Sequence, residues 1–124
     1  MIKKEGPGWR LIRDPSRGYF STLIGGENWA IELTDSEWDS FIKVVFDLRQ
    51  QYLDVKSQLM GDEDITLEIE RNPWFAILKG DRYGWSLKFI LSQSEPFQRG
   101  AEIFWPEHVT KFLINAIYEM KDSL

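Results

Sequence analysis

Residues 28–38 read Asn28-Trp29-Ala30-Ile31-Glu32-Leu33-Thr34-Asp35-Ser36-Glu37-Trp38, and this stretch decides how the chain divides into elements. Trp29, Ile31 and Leu33 alternate with small or polar residues, the period of a half-buried strand. Thr34 and Glu37 then stand three apart as a capping box. The Thr hydroxyl accepts the N–H of the third helical residue, and the Glu carboxylate accepts the cap N–H. The spacing predicts a helix beginning at Asp35, with Trp38, Phe41, Ile42, Val45, Leu48, Tyr52, Val55 and Leu59 as its apolar stripe. Gly61 is the expected stop, because glycine tolerates the left-handed conformation that commonly follows a helix end.

On the N-terminal side, Gly6-Pro7-Gly8 reads as a flexible lead-in, and residues 9–13 and 19–24 as strands. Asp14-Pro15-Ser16-Arg17-Gly18 between them is rich in turn formers. Gly25-Gly26 permits positive φ and so predicts a tight return into the strand from Asn28. On the C-terminal side, Asp62-Glu63-Asp64 is an acidic linker. It lacks the alternation and distal Glu of a calcium loop, so a solvated turn is expected. Strands follow at 65–71, 74–79, 84–92 and 101–105, with a longer polar loop from Ser92 to Gly100. Pro106 fits the first position of a closing helix, whose apolar face is Val109, Phe112, Leu113, Ala116, Ile117 and Met120.

The two halves share this plan. Trp38, Phe41, Ile42, Val45 and Phe46 match Val109, Phe112, Leu113, Ala116 and Ile117 at a constant offset, and the preceding strands match with one residue of slippage. The expected fold is therefore α+β: a single domain over 1–124 with antiparallel sheets and two helices. Its pseudo-repeat halves span about 8–60 and 65–122.

Composition narrows the functional classes. Hydrophobic residues make up 43% of the 124, enough for a packed core and too many for a disordered chain. Without cysteine there is no disulfide or thiolate chemistry. No apolar run resembles a signal peptide or a membrane span, which places the expected location in the cytoplasm. The net charge of -5 disfavours nucleic acid as a default partner. Residues 1–20 depart from that balance: Lys3, Lys4, Arg10, Arg13 and Arg17 oppose Glu5 and Asp14, a local excess of +3.

Gly8-Trp9-Arg10-Leu11, the run from Leu23 to Thr34, Glu37-Trp38, the run from Trp85 to Leu91 and Trp105-Pro106 together resemble a small cyanobacterial family called domain of unknown function 1818. That resemblance implies no activity. Ile31-Glu32-Leu33-Thr34 followed by Glu37-Trp38 also resembles the strand-to-helix joint of the single-stranded-DNA-binding transcriptional coactivator fold. Whirly proteins carry that unit twice, which implies a Whirly-like arrangement here; fold alone implies no function.

Three classes of function follow. A single-strand binder needs cations interleaved with exposed rings; the candidates are Arg10, Arg13, Arg17, Tyr19, Phe20 and Lys88. Catalysis has little support. His108 is the only histidine and no nucleophile, phosphate-loop or metal-ligand motif is present, so catalytic residues, metal and cofactor are all read as none. The third class, a protein-interaction module, is the favoured expectation. The strands at 74–79 and 84–92 are apolar on both faces, so Phe75, Ile77 and Ile90 need a cover that the helices, on the other face, do not give. A homodimer, or another protein, is the expected partner.

Overall fold

The computed structural model describes residues 1–94 and 98–121. Four strands, β1 (Ile2–Gly6), β2 (Trp9–Arg13), β3 (Thr22–Gly26) and β4 (Ala30–Leu33), run into α1 (Asp35–Lys56). The order then repeats: β5 (Ile65–Arg71), β6 (Trp74–Gly80), β7 (Trp85–Ser94) and β8 (Arg99–Trp105) lead into α2 (Glu107–Lys121). Each set of strands forms an antiparallel sheet in sequential order, so the fold is α+β with two four-stranded sheets.

The start of α1 is as the sequence predicts. Thr34 Oγ1 accepts from the Glu37 N–H at 3.2 Å, and Glu37 Oε1 accepts from the Thr34 N–H at 2.8 Å. Trp38, Phe41, Val45, Leu48 and Tyr52 are buried, joined by Val44, which the predicted stripe omitted. The end differs. α1 stops at Lys56 with Ser57 as its cap, ahead of Leu59 and Gly61. Met60 and Glu63 then close a turn by hydrogen bonds in both directions.

Four strands, and not three, precede α1. Gly6-Pro7-Gly8 ends β1 and turns into β2 with Gly8 at φ +82°, so the expected lead-in is half of a hairpin. Gly25-Gly26 also serves differently from expectation. Both lie within β3, neither has positive φ, and a Cβ on Gly26 would run into the Trp29 indole. The pair is small because tryptophan lies against it. Pro106 stands just before α2, and its carbonyl accepts the Val109 N–H at 3.0 Å. On α2, Phe112 is 51% exposed; Thr110 and Ile114 are buried instead. The loop expected from Ser92 to Gly100 shortens because β7 extends to Ser94 and β8 begins at Arg99, and its residues 95–97 lie outside the described residues.

Residues opposite one another across an antiparallel pair point to the same face. By that rule the inner face of the first sheet carries Leu11, Ile24 and Leu33, and that of the second carries Trp74, Ala76, Leu78, Leu87, Phe89, Leu91, Ile103 and Trp105, all buried. α1 leaves the first sheet and lies against β5 and β6 of the second; α2 lies against β7 and against β1 and β2. Each half is thus covered by the other, and both contribute to one core. Phe41 sits at its centre, with ring centroids 4.7 Å from Phe89, 5.6 Å from Trp74 and 5.9 Å from Trp105.

Candidate functional site

The cations nominated for nucleic acid do not share one surface. Arg13 projects from the end of β2 toward α1, with only 14% of its side chain exposed. It donates to Thr22 Oγ1 at 2.6 Å and to Asp35 Oδ1 at 2.9 Å, and it lies over the Trp38 ring. Arg17 pairs with Glu32 at 2.7 Å, and Lys88 pairs with Glu102 at 2.7 Å on the other sheet. Arg10 lies on the outer face of the first sheet, opposite Glu5 on β1 and Gly25 on β3. Tyr19 is 67% exposed, while Phe20 lies beneath the Arg99 guanidinium, 4.9 Å from its ring centroid. The segment between β2 and β3 therefore clasps the start of α1.

Ser21 donates to Asp35 in that clasp, and this hydrogen bond, followed by the one from Arg13, holds the Asp35 carboxyl below its ordinary range. A carboxylate with a lowered folded pKa stabilises the fold above its unfolded pKa, and the contribution is lost as pH falls through the folded value. Asp35→Asn is thus expected to lower the melting temperature at neutral pH, with the gap from wild type closing as the solution is acidified below the usual aspartate range. Thermal melts of both proteins across pH 2–7 check this; a gap independent of pH would contradict it.

The apolar candidates do come together. On the outer face of the second sheet, Glu68, Ile77, Lys88 and Phe104 form one row across β5 to β8, and Glu70, Phe75, Ile90 and Glu102 form the next. Four of these eight are large and apolar, and they are contiguous. Phe75, Ile77 and Ile90 are partly exposed and lie outside the core, and Phe104 is 49% exposed. Both helices lie on the other side of this sheet. Lys79 flanks the rows, and Glu68 and Glu70 have no ion-pair partner among the described residues. Phe104 was not among the nominated residues, though period 2 signals it: with Ile103 and Trp105 inward, Phe104 must face out.

A family model described as Domain of unknown function (DUF1818) matches residues 4–120. The chain belongs to the DUF1818 family. A solved crystal structure from Prochlorococcus sp. NATL2A, described as a protein with unknown function from the DUF155 family, is 65% identical to it. That likeness covers 98% of this chain and 100% of the other, with a TM-score of 0.94. No curated protein matches this DUF1818 chain. Among the described residues, no helix is long and apolar enough to cross a membrane.

Proposed function

We propose that this DUF1818 protein is a non-catalytic interaction module that docks a different protein on the outer face of β5–β8. The observation that carries this reading is the contiguous set Phe75, Ile77, Ile90 and Phe104, over which no other element of the chain lies among the described residues. Exposed apolar area of this kind, rimmed by charge, is stabilised by a partner that removes it from water.

The rim favours a different protein over a second copy. Aligned sheets that pack face to face keep their strands nearly parallel. A two-fold axis along the strands stacks β5 on β8 of the copy and sets Glu70 against Glu102. An axis across the strands stacks β5 on itself in the reverse direction and sets Glu68 against Glu70 of the copy. Either way carboxylates meet carboxylates in a chain already carrying -5. The fitting partner presents an apolar surface flanked by lysine or arginine opposite Glu68 and Glu70. Single-stranded nucleic acid is less well supported, because Arg13, Arg17 and Lys88 each lie on a carboxylate.

Light scattering of the isolated protein is expected to give the 14.6 kDa monomer. A protein retained on it from a Prochlorococcus extract should be lost with Ile77→Glu or Phe104→Glu and with Glu68→Lys/Glu70→Lys. It should be kept with Ile12→Glu on the other sheet. A dimer that Phe104→Glu dissolves would assign the face to a second copy, and retention unaffected by all these changes would overturn the reading.

A further inference from the structure

Arg49, Tyr52, Leu53 and Lys56 recur at i, i+3, i+4 and i+7 and so share one face of α1. Across from them α2 presents Glu107, Lys111 and Phe112, and the β6–β7 turn adds Tyr83. Between the two helices and the turn lies a cleft of about 650 Å³, within the range of small-molecule sites. Its floor is fixed internally. Tyr52 donates to the Asp81 carbonyl at 2.6 Å, Thr110 donates to the Trp85 carbonyl at 2.7 Å, and the Tyr52 and Trp85 rings lie 6.0 Å apart. Burial, and then the charges of Asp81 and Glu107, raise the Tyr52 pKa, so its hydroxyl remains a neutral donor.

The cations here differ from those on the sheets. Arg13, Arg17, Lys88 and Arg99 each hold a carboxylate. Arg49, Lys56 and Lys111 in the cleft, and Arg82 at the neighbouring hollow beside Lys56, hold none among the described residues. Each lies over a ring instead: Arg49 over Tyr118, Lys56 over Tyr52, Arg82 over Tyr83 and Lys111 over Phe112, at 5.1–5.9 Å. Against these four charges stand two carboxylates, Glu107 and Asp81, which leaves a local +2 in a chain of -5. At the mouth, Tyr83 and Phe112 are 73% and 51% exposed. Arg49 also donates to the Tyr118 hydroxyl at 3.0 Å, and none of the four cations is neutralised by a carboxylate among the described residues. Cations without a carboxylate partner beside exposed rings in a concave site are the chemistry for a ligand with both an anionic group and a planar ring.

We propose that the cleft between α1 and α2 binds a nucleoside phosphate, with Lys56, Lys111 and Arg49 on the phosphates and Phe112 and Tyr83 stacking on the base. The cleft is separate from the outer face of β5–β8, so this assignment stands or falls independently of the docking proposal. Calorimetric titration of the full chain at low salt, where screening is least, compares ADP, pyrophosphate and adenosine. ADP is expected to bind at least about tenfold more tightly than either fragment. Lys56→Ala/Lys111→Ala should weaken ADP by about tenfold or more. Tyr83→Ala/Phe112→Ala should bring ADP down to the affinity of pyrophosphate, and Lys79→Ala should change nothing. All the altered side chains are exposed, and thermal melts confirm that each variant folds. No binding of millimolar ADP, ADP equal to pyrophosphate, or ADP unaffected by the double lysine change would overturn the proposal.

Discussion

Trp105→Ala is expected to lower the unfolding free energy by about 4 kcal/mol. Trp105 ends β8 and is fully buried, in contact with Trp29 at 5.0 Å between ring centroids and with Phe41 and Phe89. Its indole N–H donates to the Gly25 carbonyl at 3.0 Å, so this side chain ties the second sheet directly to the first. Truncation loses the transfer energy of the ring and leaves a cavity lined by aromatics that have little room to collapse. It also removes the hydrogen bond that joins the two sheets. Trp105→Phe separates these effects: most of the ring volume stays while the hydrogen bond goes, and about 1–3 kcal/mol should be lost. A domain has only about 5–15 kcal/mol in hand, so urea denaturation resolves both. If Trp105→Ala costs less than Trp105→Phe, the sheets are not held together through this residue.

The second large effect is expected at Glu37. Its carboxylate, 3% exposed, caps Thr34 and also receives Arg99, whose side chain is 26% exposed and comes from β8. The Glu37 backbone carbonyl accepts from the Trp74 indole at 3.0 Å, so the first turn of α1 is held by both β6 and β8. Glu37→Ala strands the Arg99 guanidinium in a largely buried place, and removing one member of such a pair costs about 3 kcal/mol. Thr34→Ala removes only the cap hydroxyl and should cost about 1 kcal/mol. Glu37→Ala/Arg99→Met removes both charges and should recover part of the loss, a coupling that a double-mutant cycle in urea measures. Equal costs for Thr34→Ala and Glu37→Ala would reduce Glu37 to a helix cap.

Glu37 also shows where sequence reading stops. Its capping role was legible, because a box spans three residues and depends on local geometry alone. Its pairing with Arg99 spans 62 positions, and nothing in the spacing of either residue announces it. The same holds for Arg17 with Glu32 and Lys88 with Glu102: the cations were legible, their neutralising partners were not. β1 was missed for a physical reason. Lys4 occupies an inward-facing position, where period 2 calls for an apolar residue, and its ammonium escapes to Glu119 of α2 at 2.6 Å. By contrast, β6 alternates without exception, Trp74, Ala76 and Leu78 inward and Phe75 and Ile77 outward, so the apolar outer face could be read directly. The cleft could not, because Arg49, Lys56 and Lys111 become neighbours only after the helices of the two halves lie side by side.

The proposed docking role of the outer face of β5–β8 is tested most directly by site-specific photo-crosslinking. A benzophenone amino acid placed at the exposed Phe104 reports from the outer face of β5–β8, and one at the exposed Tyr19 reports from the turn beside the first sheet. Each protein is irradiated in Prochlorococcus extract and its adducts are identified by mass spectrometry. The expected result is one protein crosslinked through position 104, absent from position 19 and lost on adding Glu68→Lys/Glu70→Lys. The same adducts from both positions, or adducts from position 19 alone, would contradict a docking role for this sheet.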